Sequence, residues 1–283
     1  MQSTIPGPRH PTRVIVCLSL LASSLGFAGC GKVKSAYDSL FHRHRTAKTV
    51  PAPPRNPRPT PAGPKLAIIL DDLAGDDSSA AADAIFALQY PLTLSVLPNH
   101  ARSAQIAAEA HRRGYQVILH LPMESVGNEL PEAHELRPGM SRIEISGALK
   151  QMLDSVPNAV GVNNHQGSLA TSDARLMNEL MPVLRGRNLF FIDSRTTAAT
   201  VAFDTARGDG VRAAFRNVPF LDDVRDVPAI RRQLSLAFKD AKEKGEAIAI
   251  GHPHPETLRA LTEMLPAAQA DGIRLVQVSE LVH

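Results

Sequence analysis

The stretch Lys65–Leu73, KLAIILDDL, constrains this chain more than any other. Five apolar residues, Leu66 to Leu70, run unbroken into two acids, Asp71 and Asp72. A short apolar run bounded by polar residues reads as a strand buried on both faces, as in parallel sheets covered by helices. In such folds ligands bind beyond the carboxyl ends of the strands. Two adjacent carboxylates there repel one another and resist joint ionisation. A divalent cation would relieve that repulsion, since Zn²⁺ and harder cations accept carboxylate oxygen. The competing reading is that Asp71 or Asp72 only caps the next helix.

From Lys65 onward apolar runs alternate with helical patterns. The runs are Leu66–Leu70, Leu92–Leu97, Gln116–Leu121, Ala159–Val162, Leu189–Ile192, Val211–Phe215, Ala247–Ile250 and Leu275–Val278. Helical spacing predicts helices over Ser78–Leu88, Ser103–Arg113, Ile143–Val156, Asp173–Leu184, Ala229–Lys244 and Glu256–Ala270. Gly114, Gly186, Gly245 and Gly272 stand where helix C-caps are needed. Repeated βα units imply an α/β fold, either a barrel or a doubly wound sheet, and this number of repeats favours a barrel. No glycine-rich phosphate loop follows the first strand, which weakens a nucleotide-binding reading.

The residues before Lys65 have a different character. A basic start with Arg9 and Arg13 precedes an apolar run, Val14–Phe27, too short for a confident membrane span and ending in small residues. This predicts a secretory signal peptide over residues 1–30. Its end, Phe27-Ala28-Gly29-Cys30, resembles a bacterial lipobox with Phe27 in place of the usual Leu, which makes Cys30 a candidate lipidation site. An ordinary signal peptide or an uncleaved anchor is the alternative. Residues 31–64 form a basic, then Pro-rich linker; Thr49–Pro64 should be an extended spacer that holds a domain away from a membrane. The expected location is the periplasmic side of a bacterial envelope, with a lipid anchor in the membrane.

Charge separates along the same boundary. Before Lys65 nine Lys/Arg face one acid; from Lys65 on, 22 face 27 Asp/Glu. The basic character thus belongs to leader and linker, and the domain, residues 65–283, carries no argument for nucleic-acid binding. Aromatic residues are 4% and Trp is absent, so base stacking and aromatic sugar clefts are poorly supplied.

Several predicted strands end in polar residues: Asn99-His100, His120 through Glu124, Asn163 through Ser168, Asp193-Ser194-Arg195-Thr196 and His252-Pro253-His254. On a barrel these ends converge on one face. Asp72, His120 and His165 at three strand ends would give the mixed oxygen and nitrogen set of a catalytic Zn²⁺ site.

The blocks IILDDL, LPNH, LHLPME, VGVNNHQGS, FFIDSRTT, FLDD and IGHPHPETL together resemble the divergent polysaccharide deacetylases, over nearly all of Lys65 to Leu281. The resemblance implies a distorted (β/α) barrel of about seven strands and metal-dependent removal of N-acetyl groups from a glycan, such as peptidoglycan or an exopolysaccharide. By position it makes Asp71 the catalytic base and Asp72 a ligand of a divalent metal, with Zn²⁺ expected. His120 and Glu124 fall on the four-apart pair that supplies two histidines in the wider superfamily. The second histidine is Glu124 here, so Asp72 and His120 are completed by either Glu124 or His165; Glu124 could equally be a surface carboxylate.

In the mechanism so implied, Asp71 takes a proton from water. Arg195, Asn163 or backbone N–H groups stabilise the oxyanion, and His252 protonates the leaving amine, with Asp193 orienting a neighbour. Asn99, Asn163, Asn164 and Ser168 are candidate substrate-binding residues. Asp222 and Asp223 either ring the same mouth or begin a helix. A non-catalytic glycan- or protein-binding barrel at the envelope is the second class of function.

Overall fold

The computed structural model describes residues 63–75, 81–127, 131–132 and 134–283. The leader, the linker up to residue 62 and Cys30 lie outside the described residues.

Strands and helices alternate as the apolar runs require. In order they are β1 (Lys65–Leu73), α1 (Ala81–Ala87), β2 (Thr93–Val96), α2 (Ser103–Arg112), β3 (Gln116–Met123), α3 (Arg142–Ser155), β4 (Gly161–Gln166), α4 (Ala174–Gly186), β5 (Phe190–Asp193), α5 (Ala202–Gly208), β6 (Ala213–Phe215), α6 (Val227–Lys244), β7 (Glu246–Gly251), α7 (Pro255–Ala270) and β8 (Arg274–Val276). Among the described residues all strand pairings are parallel, in the order β6-β5-β4-β3-β2-β1-β7, and the short β8 pairs with the first residues of β1. The seam between β6 and β7 is bridged by the segment that follows β6. There the Asn217 N–H donates to the Ile248 carbonyl at 3.0 Å and the Leu221 N–H to the Ile250 carbonyl at 2.9 Å. The result is the nearly closed seven-stranded (β/α) barrel that the resemblance implied.

Local chemistry fixes the helix ends. Ser141 and Glu144 form a reciprocal capping box on α3. Asp173 and Asp226 cap α4 and α6 through the N–H groups of Leu176 and Ala229. Gly245 ends α6 in the left-handed conformation, φ 88°. Gly186 does not serve as expected. It is the last residue of α4, and the left-handed residue after that helix is Asn188. The sequence pattern also missed α5, whose buried stripe consists of Ala202 and Ala206 alone. Two small residues on one short helix leave too weak a period to read.

Among the described residues two apolar cores result. The larger lies between the strands and the surrounding helices, and the smaller fills the barrel with residues such as Ile69, Ile118, Phe190, Ile192 and Ile250.

Candidate active site

Side chains on a strand alternate between its two faces, so each strand has one inward row. On β1 the inward row is Ala67, Ile69 and then Asp71; on β3 it is Ile118 and then His120. On β5 it is Phe190, Ile192 and then Ser194, and on β7 Ile248, Ile250 and then His252. Ser95 and Asn163 supply the same layer from β2 and β4. A polar layer thus sits on an apolar floor at the carboxyl mouth. Gly161 is the inward residue below Asn163, and a Cβ there would collide with the Phe190 ring, so the floor depends on its being glycine.

Asp72 is not in that row by parity. Its backbone turns left-handed, φ 58°, and this brings its carboxylate back over the mouth. Its Oδ1 lies 3.1 Å from His120 Nε2 and 3.0 Å from His165 Nδ1, and its Oδ2 lies 3.7 Å from His252 Nε2. Despite these approaches Oδ1 is buried and makes no hydrogen bond. A buried oxygen left so is costly unless a cation completes it. One ligand atom from each of Asp72, His120 and His165 lies within 4.8 Å of the others. One carboxylate and two imidazoles with room for further ligands match the donor set of a catalytic divalent site. These residues therefore fit a divalent metal. Burial opposes ionisation of Asp72, but His120 and His165 outweigh it and hold the carboxyl far below its usual range.

Beneath this set, Asp71 is 1% exposed. Both its oxygens accept from Asn163 Nδ2, at 2.9 and 3.1 Å, and its Oδ2 lies 3.7 Å from His120 Nε2. Burial raises its pKa against the opposing charges of His120 and His252. His120 is lowered by burial but raised more by Asp71 and Asp72, for a net rise.

On the other side of the mouth His252 is tied to Asp222. The ring Nδ1 donates to Asp222 Oδ1 at 2.9 Å, while Asp222 Oδ2 accepts from the His252 N–H at 2.6 Å and the Thr257 hydroxyl at 2.7 Å. Burial disfavours the imidazolium, but the Asp222 hydrogen bond and the charges of Asp71 and Asp72 prevail and raise its pKa to about 9. Nε2 is left facing the cleft. That cleft, about 280 Å³, has Asp72, His100, His165, Arg225, His252 and His254 in its lining.

The structure gathers Asp71, Asp72, His120, His165, Asn163 and His252, and leaves the other sequence candidates elsewhere. Glu124 stands outside the set, because its N–H donates to the Leu136 carbonyl and its own carbonyl accepts from Leu169 and Ala170, turning the chain away. Asp193 falls on the outward face of β5, where it accepts from the Arg195 and Phe203 N–H groups and the Thr200 hydroxyl and so organises the turn into α5. Asp222, not Asp193, is the carboxylate that orients a histidine here. Arg195 stacks on Phe215, 3.5 Å from the ring centroid. Asn164 also faces outward from the barrel and joins β4 to β5 by accepting from the Ser194 N–H at 2.8 Å. The Ser168 hydroxyl accepts from the Val126 N–H, and exposed Asn99 donates its N–H to Ser155. Ser95 and Ser194 join the site, and Asp222 orients His252, without having been site candidates for those roles. Inward parity alone would have found the two serines; Asp222 required the closure of the seam.

The nearly closed barrel of parallel strands with alternating helices is the deacetylase-like (β/α) barrel. Residues 68–282 match the family model of the divergent polysaccharide deacetylases, and the chain belongs to that family. It is 39% identical over 219 residues to the uncharacterized protein YibQ of Escherichia coli K12, covering 77% of this chain and 67% of that protein. A Haemophilus influenzae protein is 36% identical over 217 residues, covering 77% of this chain and 76% of its own length. The crystal structure of protein ATU2773 from Agrobacterium tumefaciens C58 shares the fold, with a TM-score of 0.73 at 23% identity over 78% of this chain and 89% of that one.

Proposed function

We propose that this protein is a cell-envelope hydrolase that uses a divalent metal, Zn²⁺ by its donor chemistry, to remove N-acetyl groups from a glycan such as peptidoglycan or an exopolysaccharide. One observation carries the reading. The Asp72 oxygen that lacks a hydrogen bond faces two imidazole nitrogens, with a buried carboxylate, Asp71, on one side and an imidazolium, His252, on the other. The FAGC block at Cys30 and the spacer Thr49–Pro64 support the envelope location and a lipid anchor.

Asp72, His120 and His165 would hold the metal, which supplies Lewis-acid polarisation of the acetyl carbonyl and acidifies water. Asp71 accepts the proton of the attacking water; its burial makes it a stronger base than a solvated carboxylate. The water oxygen bonds to the acetyl carbon and the carbon–nitrogen bond breaks. His252 gives its Nε2 proton to the departing amine. With Nδ1 bound to Asp222 and a pKa of about 9, it carries that proton at neutral pH. Acetate and a free amino sugar are the products.

The 1% exposure of Asp71 favours a second reading, a barrel that binds a glycan or protein without turnover. Elemental analysis of the purified protein, with acetate release from N-acetylated glycans, separates the two. Stoichiometric metal, with acetate release lost in Asp71→Asn, is the expected result. A protein that takes up no metal after reconstitution sinks the deacetylase reading and leaves the binding barrel.

A further inference from the structure

The cleft over Asp72 and His165 has two acids in its lining, Asp72 and Glu132, and both face imidazoles. Asp72 lies against His120 and His165, and a Glu132 oxygen is 3.4 Å from His100 Nε2. Arg225 lines the same cleft, three residues beyond Asp222 in the segment that crosses the seam. Among the described residues its guanidinium makes no ion pair and no hydrogen bond. The acids that flank it in sequence act elsewhere: Asp226 caps α6, and the charge of Asp223 bears on Arg216. The charge of Arg225 is felt instead by His254 on the same wall. Burial lowers the pKa of that imidazole and Arg225 lowers it further, while Asp222 and Glu256 oppose this without reversing it.

A cleft wall whose acids are matched and whose guanidinium is not favours a ligand that brings negative charge. The planar fork of a guanidinium fits a carboxylate through two parallel hydrogen bonds, and here no internal ion pair has to break first. We propose that Arg225 selects the substrate: the glycan whose N-acetyl group reaches the metal set carries a carboxylate on the same sugar or its neighbour, and Arg225 binds that carboxylate. The inference rests on the deacetylase reading for the acetamide, whereas the preference for an anion needs only the cleft. At about 280 Å³ the cleft is small for a ligand site, which keeps both groups within one or two sugar units. In a neutral glycan the corresponding substituent is a hydroxymethyl group, which offers the guanidinium no charge.

The probes are oligosaccharides that alternate N-acetylglucosamine with glucuronic acid, and the same oligosaccharides with their carboxyls methyl-esterified. Binding to the full chain is read by calorimetry, and acetate release by the metal-reconstituted protein is read in parallel. Wild type should prefer the acidic form by about 5–30-fold in Kd. The preference should shrink as added salt screens the charges. Arg225→Gln should remove it, and Arg225→Lys, which keeps the charge without the fork, should retain part of it. A wild type that binds both forms alike, or neither, overturns the proposal, and so does a preference that survives in Arg225→Gln. Equal acetate release from the two forms also overturns it, while the deacetylase reading stands. Arg225-dependent binding of the acidic form with no acetate release leaves the anion site standing and sinks the deacetylase reading.

Discussion

Replacing Asp222 with Asn tests the least obvious pairing at the site. The substitution preserves size but removes the charge that accepts from His252 Nδ1, the His252 N–H and Thr257. In the folded protein His252 has a pKa of about 9 against an ordinary 6.5. At ~1.4 kcal/mol per pH unit that rise corresponds to about 3 kcal/mol favouring the imidazolium. Burial opposes it, and Asp71 and Asp72 share it with Asp222. Removing Asp222 alone should therefore cost about 1–2 kcal/mol of that preference. Because the folded pKa lies above the unfolded one, the stabilisation is complete below pH 6.5 and is lost as pH rises through about 9.

Denaturant unfolding of metal-free wild type and Asp222→Asn should thus differ most near pH 6, and the gap should narrow toward pH 10 to the part owed to the His252 N–H and Thr257 hydrogen bonds. A proton NMR titration of the His252 ring should show its pKa falling toward 6.5 in the variant. A wild-type His252 that titrates at or below its ordinary value would refute the pairing. So would a stability gap that widens with pH.

Gly161→Ala should destabilise the protein by about 1–3 kcal/mol, because the new Cβ meets the Phe190 ring inside a filled barrel; a denaturation midpoint equal to or above wild type would contradict this. His120→Ala and His165→Ala should each lose Zn²⁺ on elemental analysis while Glu124→Ala retains it, and full occupancy in His120→Ala would show that the ligand set is wrong. A fatty-acid analogue should label wild type and not Cys30→Ala; equal labelling would rule out lipidation at that residue.

Much of this barrel was legible before folding was considered. Each of the eight apolar runs holds a strand, because continuous burial on both faces demands an unbroken apolar sequence. Asp71, Asp72, His120, His165 and His252 were readable as strand-end residues, since parallel strands in a barrel deliver all their carboxyl ends to one mouth. Local alternation also sets the facing of the other polar residues at these strand ends. It places Asp193 and Asn164 outward, and Ser95, Asn163 and Ser194 inward.

What tertiary structure alone decided is which of these side chains meet. His165 rather than Glu124 joins Asp72 and His120, because the chain after Met123 is drawn off to bond with Leu136. Asp222 meets His252 because the segment after β6 bonds along β7 across the seam. Asp72 enters the site through a left-handed backbone turn that no apolar pattern encodes. Sequence periodicity sets the face and the depth of a residue, which are properties of its own strand. Distances between strands far apart in the chain depend on how the barrel closes, and closure is a property of the whole packed sheet.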